Sequence, residues 1–220
     1  MKFQNKHAFT LVEILITIAV VGAAVGIGTA SYVSFNERQV VEQAALTLRN
    51  NFRSIQQRAL SGQKDIAICE EAGNPLPLAG WCFSPQENTD GDQDRYLLYG
   101  ACGPKVADNE MQPFPETADE AEQVEMPDGV RITNFVNNAN ATIGGRILFV
   151  AGSNRVNISA VNPADPTTFL PFEEIVYCIE GDLPTLGVPG AENVYEIRVR
   201  DTGDIVDNGF VGACPSTPPL

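Results

Sequence analysis

The feature that most constrains this chain is a run of 23 residues without a charged side chain, from Ile14 to Asn36. A helix of that length spans a bilayer with some tilt. Glu13 stands directly before the run, inside an apolar segment that begins at Phe9. A carboxylate at mid-bilayer costs about 2.5–3.5 kcal/mol on insertion scales. Any function proposed for the chain therefore has to account for Glu13.

The residues before the apolar segment are basic. Lys2 and Lys6 occur among the first eight residues, which contain no acid. Positive charge on this side keeps the amino terminus in the cytoplasm and directs the rest of the chain outward. A cleaved secretory signal is one interpretation, with small residues for cutting at positions 23–24 or 29–31. Glu13 disfavours it, because the apolar core of a signal peptide has no use for a carboxylate.

The helical pattern continues beyond the apolar run. No proline occurs before Pro75, and Ser61-Gly62 is a typical helix stop. Apolar residues recur at spacings of three and four and form one stripe on a helix: Val41, Ala44, Ala45, Leu48, Phe52, Ile55 and Ala59. The sequence therefore predicts one helix from Phe9 to Ser61, about 80 Å long at 1.5 Å per residue. Its first half suits a membrane, and its second half suits packing on a domain.

After Gly62 the pattern changes to short apolar runs separated by turn residues. The predicted strands are 65–69, 80–83, 95–99, 130–136, 146–150, 154–160, 173–179 and 193–200, with a tight turn at 201–204 and a last strand at 205–206. This pattern predicts an α+β fold, in which an antiparallel β-sheet domain packs against the second half of the long N-terminal helix.

The segment AFTLVEILITIAVVGAAVGIGTASY, residues 8–32, resembles the amino terminus of type IV pilins and pseudopilins. In that family a prepilin peptidase cuts immediately before the Phe of a Phe-Thr-Leu-Val-Glu motif and methylates the new amine. The resemblance implies cleavage between Ala8 and Phe9, with N-methylation of Phe9. The usual residue before the cut is glycine, whereas this chain has Ala8.

The resemblance also implies a role for Glu13, which becomes the fifth residue after cleavage. In the family this carboxylate pairs with the N-terminal amine of a neighbouring subunit, and a paired buried charge costs much less than an unpaired one. Gly22 and Gly26 form a small-xxx-small surface that lets helices approach closely. The alternatives are that Glu13 reaches the membrane surface and that the glycines belong to an ordinary membrane helix.

Four segments follow from the resemblance: a leader at 1–8, a transmembrane or filament-core helix at 9–36, an amphipathic helix at 37–62 and an exported β-rich domain at 63–220. Residues 50–69 and 194–207 are similar to the helix end and closing hairpin of minor pseudopilin H-like subunits of type II secretion and of related minor pilins. The implied protein crosses the inner or cell membrane once, holds its C-terminal domain outside the cytoplasm, and then joins a pilus or pseudopilus. Its implied partners are other pilin or pseudopilin subunits, prepilin peptidase and the membrane.

An adhesin or ligand-binding pilus subunit that acts through exposed acidic loops is the alternative function. Residues 103–129 hold eight acidic side chains against Lys105, and we expect an exposed loop there with one helical turn near 116–123. Such a segment is either a partner-facing surface or a solvated loop.

The best metal candidate is the sequence NTDGDQD, in which Asn88, Asp90, Asp92 and Asp94 alternate. Alternating oxygens of this kind suit a hard cation, so Ca²⁺ is the one cofactor considered. The EF-hand spacing does not fit, and the competing interpretation is a plain acidic turn.

All five cysteines lie beyond the apolar segment: Cys69, Cys82, Cys102, Cys178 and Cys214. This placement indicates an oxidising compartment and one or two disulfides. We expect Cys178 to pair with Cys214, because little else holds the proline-rich terminal segment, and one more bond to be shared among the other three cysteines.

Two function classes are disfavoured. The one histidine, His7, lies in the leader, which removes His-dependent nucleophiles and zinc sites from the processed chain, and no enzyme activity is expected. Among enzymes, the alternative is a secreted hydrolase with an ordinary signal peptide. The net charge of −14 and the scattered basic residues argue against nucleic-acid binding.

Overall fold

The computed structural model describes residues 10–64, 70–71, 74–75, 77–86, 94–102, 121–136, 145–162, 165–181 and 194–214. The chain divides into two compact units, Met1–Gln39 and Val40–Leu220. Helix α1 covers Leu11–Ser61, so residues of both units belong to one continuous helix. The predicted helix from Phe9 to Ser61 is therefore confirmed over its described part.

In the first unit, the apolar side chains of α1 lie exposed. Their exposed fractions run from 74% at Leu11 to 46% at Val33. The exposed set is Leu11, Val12, Ile14, Leu15, Ile16, Ile18, Val20, Val21, Val25, Tyr32, Val33 and Phe35. Among the residues that the structure describes, no helix reaches the length and mean hydropathy needed to cross a bilayer. The membrane span expected over 9–36 stays a prediction.

The second unit combines the end of α1 with antiparallel strands, so the predicted α+β fold is confirmed. The strands are β1 (Glu70–Glu71), β2 (Asn74–Pro75), β3 (Leu78–Gln86), β4 (Arg95–Cys102), β5 (Glu122–Glu125), β6 (Val130–Val136), β7 (Arg146–Val150), β8 (Val156–Asn162), β9 (Asp165–Phe172), β10 (Glu174–Gly181), β11 (Val194–Arg200) and β12 (Ile205–Val211).

These strands form three antiparallel sheets in the described part of the chain. One sheet has four strands in the order β12-β11-β10-β6, and another has six in the order β5-β4-β3-β7-β8-β9. Strands β1 and β2 pair with each other. Residues 201–204 form the turn between β11 and β12, as the sequence predicts.

The apolar stripe of α1 is the centre of the core. All seven of its residues from Val41 to Ala59 are buried, with exposed fractions of 4% or less. The ring of Phe52 lies 4.7 Å from that of Phe83 in β3 and 5.3 Å from that of Tyr177 in β10. Phe83 and Tyr177 are themselves 5.2 Å apart. The helix, the four-stranded sheet and the six-stranded sheet therefore meet at Phe52.

The helix ends at a glycine cap, as the Ser61-Gly62 signal predicts. Gly62 has a φ of 66°, its N–H donates to the Ala59 carbonyl at 3.1 Å, and the N–H of Gln63 donates to the Arg58 carbonyl at 3.0 Å. These two bonds make a Schellman motif. The indole N–H of Trp81 in β3 donates to the Gln63 carbonyl at 2.8 Å, so the chain leaving the helix is fixed to the six-stranded sheet.

One expectation about the acidic segment is wrong. Glu122 and Gln123 belong to edge strand β5, which pairs with β4 in the register Leu98↔Glu122 and Leu97↔Gln123, and not to a helical turn. Glu122 also accepts a 3.3 Å ion pair from Arg58 of α1. The C-terminal end of the predicted loop is therefore part of the sheet, and residues 103–120 lie outside the described part.

The outer face of the four-stranded sheet carries ion pairs. Glu196 is only 3% exposed, and its carboxylate accepts hydrogen bonds from Arg198 Nε at 2.5 Å and from Asn208 Nδ2. Asn208 is the extra residue of a β-bulge, since the register passes from Glu196↔Gly209 to Ile197↔Asp207. The bulge thus supplies the second donor that a buried carboxylate requires.

Candidate assembly and processing site

Glu13 lies in the first turn of α1, and Thr10 caps that turn. The backbone N–H of Glu13 is 3.3 Å from Thr10 Oγ1 and 3.1 Å from the Thr10 carbonyl, and the N–H of Ile14 donates to the same carbonyl at 3.3 Å. Thr10 is therefore the N-cap, and Glu13 is the third helical residue. A carboxylate at this position is favoured by the partial positive charge of the helix start.

The role of Thr10 as a helix cap is not among the predictions made above, although the sequence contains a signal for it. Thr10 and Glu13 have the spacing of a capping box, Ser/Thr-x-x-Glu. The same residues also belong to the Phe-Thr-Leu-Val-Glu motif. Glu13 thus stands where a helix begins, at the point where cleavage before Phe9 would place a new amine.

Two threonine side chains of the first unit form hydrogen bonds with carbonyl groups of their own helix. Thr17 Oγ1 donates to the Ile14 carbonyl at 2.8 Å, and Thr29 Oγ1 donates to the Val25 carbonyl at 2.6 Å. A hydroxyl bonded in this way adds little cost when the helix enters an apolar environment. With the exposed apolar side chains, these bonds suit a helix surrounded by lipid or by other helices.

Gly22 and Gly26 both present open surface. A Cβ built at either glycine meets no described atom within 4 Å. Within the described part of the chain, neither glycine is therefore needed for a close contact. Their small-xxx-small surface stays available for a second helix, which is the use predicted for it.

Residues Ala8 and Phe9, between which cleavage is expected, lie outside the described residues. So do three of the four candidate calcium ligands: Asn88, Asp90 and Asp92. The fourth, Asp94, precedes β4; its side chain accepts a 3.3 Å ion pair from Arg95, and its carbonyl accepts from the N–H of Met126 at 2.7 Å. Gln86 pairs with Arg95, so residues 87–94 connect the two strands of a hairpin. In the described ranges no cluster of three or more His, Cys, Asp or Glu side chains could hold a metal.

We expect calcium to raise the melting temperature of the purified protein by a few degrees relative to a chelator, because a bound cation adds RT ln(1 + [L]/Kd) to the free energy of unfolding. Differential scanning calorimetry at millimolar calcium measures the difference. Asp90→Ala combined with Asp92→Ala should remove it. Identical melting curves in calcium and chelator for the unmutated protein would show that the aspartates form a solvated turn.

Cys178 and Cys214 form a disulfide, with their Cα atoms 5.9 Å apart. This is the pairing expected from the sequence, and it is confirmed. Cys178 lies in β10 and is fully buried. Its opposite residue in β11 is Glu196, the buried carboxylate described above. The disulfide therefore fixes the end of the described chain beside that carboxylate.

The other two described cysteines differ from each other. Cys102 at the end of β4 is disulfide-bonded, and its partner lies outside the described residues. Cys82 in β3 is a free, buried thiol. Burial raises the pKa of Cys82 to about 12, so the thiol stays protonated and unreactive at neutral pH. Because the chain has five cysteines, at least one cannot pair within it. Cys82 is such a cysteine, and it lies in the protein interior.

Comparison with known proteins identifies one feature. Residues 3–29 match the family described as the prokaryotic N-terminal methylation motif, which is consistent with the type IV pilin and pseudopilin family. No curated protein and no solved structure matches the chain. The match covers residues 3–8 of the expected leader, the expected cleavage position, Thr10, Glu13 and both glycines.

Proposed function

We propose that this chain, whose amino terminus carries the methylation motif of type IV pilins and pseudopilins, is a structural subunit that is processed by prepilin peptidase and assembled through its N-terminal helix. The observation that carries the proposal is the match at residues 3–29. It is supported by a helix whose first part exposes its apolar side chains, while its second part is buried in an α+β domain. The role is non-enzymatic.

The proposed arrangement follows the segments expected from the sequence. Residues 1–8 are the leader, and residues 9–36 enter the membrane before assembly. The β-rich domain lies outside the cytoplasm. The disulfide between Cys178 and Cys214 supports an oxidising location for that domain. After processing, the helix leaves the lipid and joins the helices of other subunits.

Glu13 makes assembly favourable in this proposal. In lipid the carboxylate is an uncompensated charge, whereas in the filament it meets the amine of a neighbouring subunit's first residue. Thr10 supports this role, because it fixes the start of the helix and so fixes the height of Glu13 along the helix axis. If a neighbouring subunit is displaced wrongly along the helix axis, Glu13 has no amine to pair with. The contact between Glu13 and that amine therefore also selects the axial position of the neighbour.

We further propose a minor subunit of a type IV pilus or of a type II secretion pseudopilus. Residues 194–207, which are similar to the closing hairpin of minor pseudopilin H-like subunits, form β11, the turn and the start of β12. Residues 50–69, the second similar segment, include the capped end of α1. Imaging of filaments from cells with and without the protein distinguishes a major subunit from a minor one.

N-terminal sequencing of the protein from its own cells tests the proposal directly. A mature chain that begins with N-methylated Phe9 is the expected result. A mature start near residue 30 would instead identify an ordinary secretory signal and would remove the basis for filament assembly.

For Glu13→Val we expect unchanged or improved membrane insertion and a large loss of incorporation into filaments, because the variant removes the charge that requires a partner. Quantitative immunoblotting of membrane and sheared-filament fractions measures both quantities. Glu42→Val is a matched control on the same helix, since Glu42 is exposed and lies beyond the apolar segment. Normal incorporation of Glu13→Val would count against charge pairing.

A further inference from the structure

The sequence contains one asparagine that is directly followed by glycine, Asn208-Gly209. Both residues belong to β12, which is an edge strand of its sheet in the described part of the chain. An asparagine side chain can react with the backbone nitrogen of the next residue, and glycine has no side chain to hinder the approach. Asn208 is also exposed to solvent. The pair therefore combines two features that favour conversion of asparagine to aspartate.

This conversion needs only the chain and water. The backbone nitrogen of Gly209 forms a bond to the side-chain carbon Cγ of Asn208 and loses its proton. The bond between Cγ and Nδ2 breaks, and the Nδ2 group takes up a proton and leaves as ammonia. A water molecule then opens the resulting five-membered succinimide at either carbonyl, which gives aspartate or isoaspartate.

In the folded chain, hydrogen bonds hold both reacting groups. The Gly209 N–H donates to Asp207 Oδ1 at 3.0 Å, and Asp207 Oδ2 accepts from Arg49 of α1 at 2.6 Å. The Nδ2 group of Asn208 donates instead to the buried Glu196 on the outer face of the sheet. The two acceptors lie on opposite sides of β12, so ring closure requires that both hydrogen bonds break first.

The Cys178–Cys214 disulfide holds β12 in this arrangement. Cys178, Glu196 and Gly209 stand opposite one another on three neighbouring strands, β10, β11 and β12. Cys214 comes shortly after Val211, the last residue of β12, so the disulfide joins the chain beyond β12 to β10, with β11 between them. Without this bond, β12 is an edge strand that can open locally at a lower cost in free energy than unfolding of the whole domain.

We propose that Asn208 is a modification site, which the chain converts to aspartate or isoaspartate unless the Cys178–Cys214 disulfide has closed. The disulfide prevents the local opening of β12 that frees both reacting groups. An aspartate at position 208 therefore marks chains whose β11–β12 hairpin stayed open, and an intact Asn208 marks chains in which the bond formed. This inference does not depend on the proposed filament function.

The product of the conversion does not fit the folded sheet. Glu196 is 3% exposed, and its two donors are Asn208 and Arg198. A carboxylate at position 208 replaces the first donor with a second negative charge, and two carboxylates at one site repel each other. A modified chain therefore cannot restore the contact that the β-bulge makes with Glu196.

The experiment compares three forms of the full chain at the same pH and temperature under non-reducing conditions: the unmutated protein, Cys178→Ala with Cys214→Ala, and Phe52→Ala. Peptide mapping by mass spectrometry measures the fraction converted at position 208, with the exposed Asn154 as internal reference. Phe52→Ala is the matched control, because it removes a buried aromatic ring and keeps the disulfide. We expect conversion to be about fivefold or more faster in the cysteine variant than in either other form.

A second variant tests the same mechanism with the disulfide intact, in case circular dichroism shows that the cysteine variant is unfolded. Asp207→Ala releases the Gly209 N–H, and we expect conversion to rise about twofold or more in the folded protein. Slower conversion in this variant would mean that the Asp207 carboxylate assists ring closure as a base, and unchanged conversion would mean that it does not hold the N–H. Either result would overturn the inference.

The variant Asn208→Asp tests whether the product fits the sheet. We expect it to melt several degrees below Asn154→Asp, which adds the same charge at an exposed position away from Glu196. Equal melting temperatures of these two variants would contradict the repulsion at Glu196. Equal conversion at position 208 in the folded cysteine variant and in Phe52→Ala would overturn the control by the disulfide.

Discussion

Replacing Phe52 with alanine is expected to lower the free energy of unfolding by about 3–5 kcal/mol, the usual range for removing a buried aromatic ring. The side chain is fully buried, and its ring contacts Phe83 of the six-stranded sheet and Tyr177 of the four-stranded sheet. The cavity therefore opens where three elements meet, and relaxation of one element cannot fill it. Urea unfolding followed by circular dichroism measures the change.

The neighbouring residue offers a matched control. Arg53 is exposed on the same helix turn, and Arg53→Ala should change stability by no more than about 0.5 kcal/mol. A small effect of Phe52→Ala, comparable with that of Arg53→Ala, would contradict a core centred on α1.

The second large effect is expected from loss of the Cys178–Cys214 disulfide. The bond closes a loop with a sequence separation of 36, for which chain entropy gives about 4 kcal/mol of stabilisation. The variant Cys178→Ala with Cys214→Ala avoids placing a hydroxyl in the buried position of Cys178. Thermal and urea unfolding under non-reducing conditions measure the loss.

Cys82→Ala is the control for the disulfide experiment, because Cys82 is a buried but free thiol. Its loss removes a few contacts and no crosslink, so we expect a clearly smaller destabilisation. Peptide mapping without reduction should recover Cys178 joined to Cys214 and Cys82 unmodified. Free thiols at both 178 and 214 would contradict the structure.

The helix and the central strands could be predicted from the sequence because their burial is periodic. The stripe from Val41 to Ala59 repeats with the helical period and is buried as a whole. The segments 130–136 and 146–150 match β6 and β7 in full. In these elements local pattern and tertiary packing agree, so the residues themselves identify the structure.

The edges of the six-stranded sheet could not be predicted in the same way. Strand β5 has the sequence EQVE, and β9 contains Pro166 and Pro171. Charged residues and prolines are depleted in central strands but are tolerated at sheet edges, where one side of the backbone has no partner strand. Charged residues and prolines protect an edge strand from aggregation. They also interrupt the apolar pattern from which a strand is predicted.

The candidate site shows the same division. Glu13 and the two glycines stand out in the sequence because they interrupt an apolar helix, whereas Thr10 is an ordinary polar residue until its hydrogen bond to the Glu13 N–H is seen.

The meeting of both sheets on α1 has a consequence for the order of folding. Phe52 and its contact Tyr177 lie 125 positions apart in the chain, so the apolar stripe of the helix has no complete partner until β10 and β11 have been synthesised. Contacts this distant in sequence form slowly, because a long loop must close first. A newly made chain therefore passes through a stage in which the apolar stripe of its helix is still exposed. In that stage the exposed apolar stripe makes the chain prone to aggregation.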